Sequence, residues 1–188
     1  PQGVVKVAAN KSRKALLSRK DSQVQVVDKP DNGSVKLGGV GIHVPQFKAG
    51  SKIVGNDELL AWFPDFTNDD IIQRTGIKRR NWLKEGESVI DLTFESPKAA
   101  LDAKGLTIND SDMSSGATCS PERLQSPAVA CLVLDKLNRV YGNRSIPAYD
   151  INAACSGYLY ALQMAEDYVR TRPAARVLVL TAESMSRR

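Results

Sequence analysis

The stretch Asp150-Ile151-Asn152-Ala153-Ala154-Cys155-Ser156-Gly157-Tyr158 decides the fold, because it joins a short apolar strand to an amphipathic helix through a single cysteine. Residues 146–151 have the apolar content of a buried strand, and Gly157 permits a tight turn with close backbone approach. Apolar residues then recur at helical spacing at Tyr158, Leu162, Ala165 and Val169. The pattern predicts that Cys155 lies at or near the first turn of a helix that follows a strand.

A cysteine in that position is a candidate nucleophile. The N-terminus of a helix offers unpaired N–H groups and a partial positive charge, and both stabilise a thiolate over a thiol. The backbone N–H of Cys155 itself could donate to the oxyanion that forms when a thiolate attacks an acyl carbonyl. The alternative is a buried structural thiol, since free cysteine is among the most buried residue types. The residues alone leave both interpretations open.

Length and composition place the chain among ordinary globular proteins. Its 188 residues suffice for one domain, with or without an extension. Hydrophobic residues make up 42% and charged residues 25%, as in a typical soluble domain. No apolar run approaches the ~20 residues of a membrane span, and the N-terminus lacks the apolar region of a signal peptide. We therefore expect a cytoplasmic protein without a membrane partner.

The three cysteines are Cys119, Cys131 and Cys155. An odd number without CxxC spacing predicts neither a disulfide framework nor a zinc site, so no metal is expected.

The net charge of +5 is confined to the N-terminal part of the chain. Residues 1–36 carry eight Lys/Arg and three Asp/Glu, whereas residues 37–188 carry 18 of each sign. The turn signal Asp31-Asn32-Gly33-Ser34 marks the boundary. We interpret residues 1–36 as a basic arm or linker, although Val4–Ala9 and Val24–Val27 could form short strands. Docking to an acidic partner is the alternative, and nucleic acid is disfavoured because no aromatic residue interleaves the charges.

Residues 37–188 show alternating strand and helix patterns. The predicted strands are 35–44, 112–118, 146–151 and 177–181, and the predicted helices are 57–63, 67–73, 88–103, 127–140 and the one after Cys155. Such alternation predicts a mostly parallel sheet flanked by helices.

A thiolate nucleophile also needs a group that manages its proton, and the sequence offers few. His43 is the sole histidine, and we interpret it as a structural or surface residue. Glu183 follows the last apolar strand, where we expect a helix cap or a supporting contact rather than general acid or base catalysis. There is no P-loop, no G-x-G-x-x-G after a strand and no G-x-S-x-G. The residues thus predict cysteine-dependent acyl transfer with the base unaccounted for.

Five motifs in this order resemble those of the β-ketoacyl-acyl-carrier-protein synthase III family. They are Gly39-Val40-Gly41-Ile42-His43-Val44-Pro45, Arg74-Thr75-Gly76-Ile77, Ala117-Thr118-Cys119-Ser120-Pro121, Asn152-Ala153-Ala154-Cys155-Ser156-Gly157-Tyr158 and Ala182-Glu183-Ser184-Met185-Ser186-Arg187. The resemblance covers residues 37–188 and leaves the arm outside.

The resemblance implies the thiolase fold, in which two similar α/β halves form a five-layered αβαβα molecule, usually a homodimer. It implies that Cys155 takes an acyl group as a thioester, which is then condensed with malonyl-acyl-carrier protein as carbon dioxide leaves. Acyl-CoA or acyl-carrier protein would be the substrate, without a further cofactor. Arg74 inherits a donor-binding role near the CoA entrance.

Three departures from the family pattern qualify these expectations. The catalytic His and Asn of the family lie in the second half of the fold, so the sequence predicts that a complementary C-terminal half or cleaved chain supplies them. Asp70 stands where the family commonly has a Trp that stacks on adenine, which favours a carrier-protein-bound donor over CoA. The loop from Cys119 to Pro127 is longer than usual, and Ser126 in place of an aromatic wall predicts a larger acyl group.

We therefore predict the N-terminal half of a synthase-III-type acyltransferase. Two alternatives stay open: a related acyltransferase of secondary metabolism that acts on a hydroxyl or amine, and a non-catalytic subunit that completes a dimer or docks a carrier protein.

Overall fold

The computed structural model describes residues 4–8, 40–43, 45–121, 126–172 and 174–187, with the backbone alone for 4–8 and 187. The strands are β1 (Val4–Ala8), β2 (Gly41–His43), β3 (Lys52–Gly55), β4 (Arg79–Trp82), β5 (Met113–Ala117), β6 (Ala148–Ile151) and β7 (Arg176–Thr181). The α-helices are α1 (Asn56–Leu60), α2 (Asn68–Thr75), α3 (Val89–Asp102), α4 (Val129–Tyr141) and α5 (Gly157–Thr171). Single 3₁₀ turns span Ile108–Asp110, Ala154–Ser156 and Met185–Arg187.

Five strands form a parallel sheet in the order β2-β1-β7-β5-β6. The central strand β7 is buried on both faces, as expected for a parallel sheet covered by helices. Val177 and Val179 pack towards α5, whereas Leu178 and Leu180 pack towards α3 and α4. The described residues therefore form three layers, with α5 on one face of the sheet and α3 and α4 on the other.

A smaller unit precedes α3. Strands β3 and β4 form an antiparallel two-stranded sheet, and α1 and α2 connect them. Thr67 caps α2 through a capping box with Asp70, and Gly76 ends the helix at φ +68°. These local signals explain why the predicted short helix forms where the sequence placed it.

The predicted α/β class and parallel sheet are confirmed. The sequence does not predict strands β3 and β4, and the other described strands and α-helices differ from the predictions mainly at their ends. The helix predicted over 88–103 is α3, capped by the Ser88 hydroxyl, and it continues through Pro97. The helix predicted over 57–63 ends at Leu60, and the helix predicted from Pro127 begins at Val129. Residues 24–27, 35–39 and 44 lie outside the described ranges.

The N-terminal arm differs from the interpretation based on charge. Val4–Ala8 forms β1, which pairs in parallel with both β2 and β7 inside the sheet. The boundary at residue 37 therefore does not hold for these five residues. The apolar, largely β-branched run Val4-Val5-Lys6-Val7-Ala8 suits an interior strand, whereas the basic residues that dominated the charge count follow it.

No helix within the described ranges is long and apolar enough to cross a membrane.

Candidate active site

Three chemically interesting residues follow neighbouring strands at one edge of the sheet. Cys119 follows β5, Cys155 follows β6 and Glu183 follows β7. These strands are adjacent and parallel, so their carboxyl ends lie side by side. Two hydrogen bonds extend the pairing beyond the strands, from Thr118 N–H to the Ile151 carbonyl (3.3 Å) and from Ala182 N–H to the Ala117 carbonyl (3.2 Å).

Cys155 is exposed in the 3₁₀ turn that leads into α5, rather than inside the helix itself. The turn is closed by hydrogen bonds from Ser156 N–H to the Ala153 carbonyl (3.0 Å) and from Gly157 N–H to the Ala154 carbonyl. The Cys155 N–H takes part in neither bond, which suits the oxyanion role proposed for it. The prediction that Cys155 lies at or near the first turn holds to within two residues.

The strained residue of this turn is Ala154, not a glycine. Ala154 has φ +46°, in the left-handed region that residues with a Cβ adopt at a cost. Gly157 is right-handed helical at φ −54°, and a Cβ there would meet its neighbours at ordinary contact distances of 3.5 and 3.6 Å. Gly157 therefore does not supply the left-handed backbone of the turn, which falls three residues earlier at Ala154.

Asp150 anchors the strand that leads to Cys155. Its carboxylate accepts hydrogen bonds from Val129 N–H (2.6 Å) and Ala130 N–H (2.9 Å), the first two residues of α4. An anion at a helix N-terminus satisfies unpaired donors and interacts favourably with the helix dipole. Sequence reasoning missed this role, because Asp150 and α4 meet only once β5 and β6 have paired.

Gly116 makes room for that carboxylate. It lies opposite Asp150 in the register of β5 and β6, and a Cβ added to Gly116 would lie 2.4 Å from Asp150 Oδ1. The glycine in the strand Met113-Ser114-Ser115-Gly116-Ala117 thus has a steric reason.

Glu183 holds the turn after β5, as the expectation of a supporting contact anticipated. Its Oε1 accepts from Cys119 N–H at 2.8 Å, and its Oε2 lies 3.3 Å from Cys119 Sγ and accepts from the Ser120 hydroxyl. Glu183 therefore binds a neighbouring turn and is not a helix cap.

His43 lies far from Cys155. It ends β2 at one outer edge of the sheet, and Cys155 follows β6 at the other. Four strand spacings of about 4.8 Å separate the two strands by roughly 19 Å. His43 is also level with Ala148 in the sheet register, well before Cys155. A direct role as the base for Cys155 is excluded by this geometry.

Arg74 lies in the last turn of α2, outside the sheet edge. Its guanidinium lies 5.7 Å from the centroid of the exposed Phe66 ring, and the structure does not bring it together with Cys155. Asp70 has a local role: its carboxylate accepts from the Thr67 hydroxyl and N–H, and these bonds lower the pKa of Asp70. Ser126 is exposed, and residues 122–125 of the loop before it lie outside the described ranges.

A cavity of about 470 Å³ opens beside the edge, between the β3–β4 unit, α3 and the segment after β7. Trp62, Phe63 and Trp82 form its aromatic wall, and Glu183 and Ser184 lie at the sheet end. Cys155 is not among its lining residues. Within the described ranges, no group of three or more metal-ligating side chains comes together.

Known proteins match both the sequence and the fold. The sequence model of 3-oxoacyl-[acyl-carrier-protein (ACP)] synthase III matches residues 149–188, the stretch around Cys155. A β-ketoacyl-[acyl-carrier-protein] synthase III of Oleidesulfovibrio alaskensis is 41% identical over 150 residues, which is 80% of this chain and 42% of that protein.

Two solved structures extend the match to the fold. The 3-oxoacyl-[acyl-carrier-protein] synthase III of Aquifex aeolicus superposes with a TM-score of 0.67 at 32% identity, over 76% of this chain and 44% of that one. The priming β-ketosynthase of the R1128 polyketide biosynthetic pathway superposes with a TM-score of 0.64 at 25% identity, over 78% and 45%.

The chain thus spans less than half the length of the relatives it matches. The predicted thiolase-type fold is confirmed by these structures, and the motifs around Cys155 coincide with the region that the sequence model recognises. By sequence and by fold, the chain is similar to β-ketoacyl-[acyl-carrier-protein] synthase III over less than half of the length of that protein.

Proposed function

We propose that Cys155 accepts an acyl group as a thioester in a synthase-III-type condensation. The observation that carries the proposal is the position of Cys155, which is exposed at the carboxyl edge of a parallel sheet in the turn that leads into α5. In the transfer, Cys155 Sγ bonds to the acyl carbon of an acyl-CoA or acyl-carrier protein, and the donor thiol leaves. The Cys155 N–H, which takes no part in the two hydrogen bonds that close the turn, would donate to the oxyanion of the tetrahedral intermediate.

The second step of the proposal is condensation with malonyl-acyl-carrier protein. Carbon dioxide leaves the malonyl group, the resulting carbanion attacks the thioester carbonyl, and Cys155 departs as a thiolate. Proton transfer in these steps needs groups that the described residues do not bring to Cys155, since His43 lies on the opposite outer strand. We propose that a His and an Asn from polypeptide beyond these 188 residues complete the site, in a homodimer of the complete fold.

Arg74 is proposed to contact the donor. Its exposed guanidinium, supported by the Phe66 ring, is suited to a phosphate or an acidic carrier protein. The CoA-stacking function of a Trp is not reproduced by Asp70, whose carboxylate is engaged in the helix cap. This supports a carrier-protein-bound donor over a CoA-bound one.

The test is covalent loading of the complete protein that contains this chain. Incubation with acyl-CoA or acyl-carrier protein, followed by peptide mass spectrometry, should show one acyl group on Cys155, and Cys155→Ala should remove it completely. Cys131→Ala is the matched control, because Cys131 lies on α4 and donates to the Ala148 carbonyl away from the edge. An adduct that persists in Cys155→Ala, or no adduct in either protein, would contradict the proposal.

A second candidate is acyl transfer to a hydroxyl or amine in secondary metabolism, a branch of metabolism represented among the similar structures by the R1128 priming β-ketosynthase, although that protein is itself named as a ketosynthase, which is a condensing enzyme. Carbon dioxide release from malonyl-acyl-carrier protein distinguishes the two. Release that depends on Cys155 supports condensation, whereas loading of Cys155 without release supports transfer to a hydroxyl or amine.

A further inference from the structure

The same edge of the sheet carries a second thiol. Cys119 follows β5, the strand next to the one that leads to Cys155, and it is partly exposed. An acyl donor that reaches Cys155 therefore approaches two cysteines that follow neighbouring strands. Productive chemistry requires that only one of them reacts.

The two thiols differ in the group that faces them. Oε2 of Glu183 lies 3.3 Å from Cys119 Sγ, within the distance of an S–H···O hydrogen bond. A carboxylate beside a thiol opposes loss of the thiol proton, because two negative charges would then be in contact. Cys155 has no hydrogen bond to a carboxylate within the described ranges.

The carboxylate of Glu183 is held in place by buried groups. The Ser120 hydroxyl donates to Oε2 of Glu183 and accepts from Ser184 N–H at 2.7 Å. Ser120 N–H in turn donates to the Thr118 hydroxyl at 3.1 Å. Ser120 is 4% exposed and Ser184 is 7% exposed, so the serine part of this network is shielded from water, whereas Glu183 itself is exposed.

Glu183 also binds the backbone of the turn after β5. Oε1 of Glu183 accepts from Cys119 N–H at 2.8 Å, so one carboxylate binds both the main chain and the side chain of Cys119. The two residues are 64 positions apart in the sequence. The contact therefore ties the end of β7 to the end of β5, directly beside the strand that carries Cys155.

We propose that Glu183 is a positioning residue that keeps Cys119 protonated, so that Cys155 alone accepts the acyl group. The proton stays on Cys119 Sγ, shared with Glu183 Oε2, while the Ser120 hydroxyl holds the carboxylate in register. The part that concerns acyl transfer rests on the proposed function, whereas the difference in thiol reactivity does not.

The first experiment uses iodoacetamide on the unmodified complete protein, with the rate at each cysteine followed by peptide mass spectrometry between pH 6 and pH 10. Cys155 should react about tenfold faster than Cys119 at neutral pH. The alkylation rate at Cys119 should rise at a higher pH than the rate at Cys155. Equal alkylation rates at Cys119 and Cys155 would overturn the proposal without any variant. A rate at Cys119 that rises at a lower pH than the rate at Cys155 would do the same.

The second experiment uses Glu183→Gln, which keeps an acceptor for Cys119 N–H and removes the charge. Alkylation of Cys119 should accelerate about tenfold, and its pH profile should move to lower pH, while Cys155 changes little. Ser120→Ala is the matched control, because it disturbs the network but leaves the carboxylate, and it should accelerate Cys119 less. An unchanged Cys119 rate in Glu183→Gln would contradict the role of the charge.

Cys131 reports whether a variant has loosened the fold. Cys131 is partly buried on α4. A rise in its alkylation rate equal to that at Cys119 would indicate unfolding and would contradict a local effect of the charge. With acyl donor, Glu183→Gln should acquire a second acyl group on Cys119. If the unmodified protein is not acylated at all, the proposed function fails, while the alkylation result still decides the role of Glu183.

Discussion

The turns after β5 and β6 begin from neighbouring strands and end in opposite settings for a cysteine. Cys119 is bound through its N–H and its thiol by Glu183, whereas Cys155 is exposed, follows a left-handed Ala154 and leads into α5. Two thiols at the same edge of the sheet therefore lie in different surroundings. We propose that the groups around each thiol decide which one reacts.

The largest expected effect comes from a change in the spacing between β5 and β6. In Gly116→Ala the new Cβ would lie 2.4 Å from Asp150 Oδ1, so the carboxylate must leave the N-terminus of α4 or the strands must separate. We expect a loss of about 3 kcal/mol in the free energy of unfolding, from overpacking and the displaced charged hydrogen bonds. Urea denaturation measures it.

The control is Gly41→Ala, at a position in β2 where a Cβ meets no atom within 4 Å. It should leave the free energy of unfolding nearly unchanged. If both variants lose equally, the contact with Asp150 is not the reason for the glycine in β5.

A smaller effect on stability is expected when only the charge of Asp150 is removed. Asp150→Asn keeps the shape of the side chain but weakens its bonds to Val129 N–H and Ala130 N–H. We expect a loss of about 1 kcal/mol in the free energy of unfolding, because the interaction with the helix dipole disappears. Acylation of Cys155 should also slow, since Asp150 fixes the strand before it.

Asp135→Asn is the comparison for this variant. Asp135 is also on α4, but it is exposed and pairs with Arg139, so its loss should cost less than about 0.5 kcal/mol. Equal losses in the two variants would show that Asp150 acts as an ordinary surface charge.

The smallest expected effects on stability come from substitutions at Ala154 and Gly157, in the turn that carries Cys155. Ala154→Gly should stabilise the protein by about 0.5 kcal/mol, since glycine adopts a positive φ without steric cost. Gly157→Ala should also be neutral or slightly stabilising, because Gly157 is helical and has ordinary space for a Cβ. A marked loss of stability in Gly157→Ala would instead show that the turn requires a glycine at this position. Thermal unfolding of the two variants decides.

Much of the candidate site could be predicted from short-range patterns. Cys155 stood out because a strand pattern, a cysteine and a helical repeat follow one another within 25 residues. The short helix predicted over 67–73 was also visible, since its capping hydrogen bonds join residues three positions apart. The conformation of Ala154 left no trace in the sequence, because an alanine gives no sign of a left-handed backbone and the nearby glycine suggested a different residue.

The sequence by itself therefore determined the α/β pattern, the family resemblance and the candidate nucleophile, since periodicity, capping and motif order all act along the chain. Only the tertiary structure decided that Val4–Ala8 joins the sheet, that His43 lies on the opposite outer strand from Cys155, and that Glu183 binds Cys119. Strand order brings together residues 64 positions apart. That order results from the packing of both faces of the sheet as a whole, which no local stretch of sequence encodes.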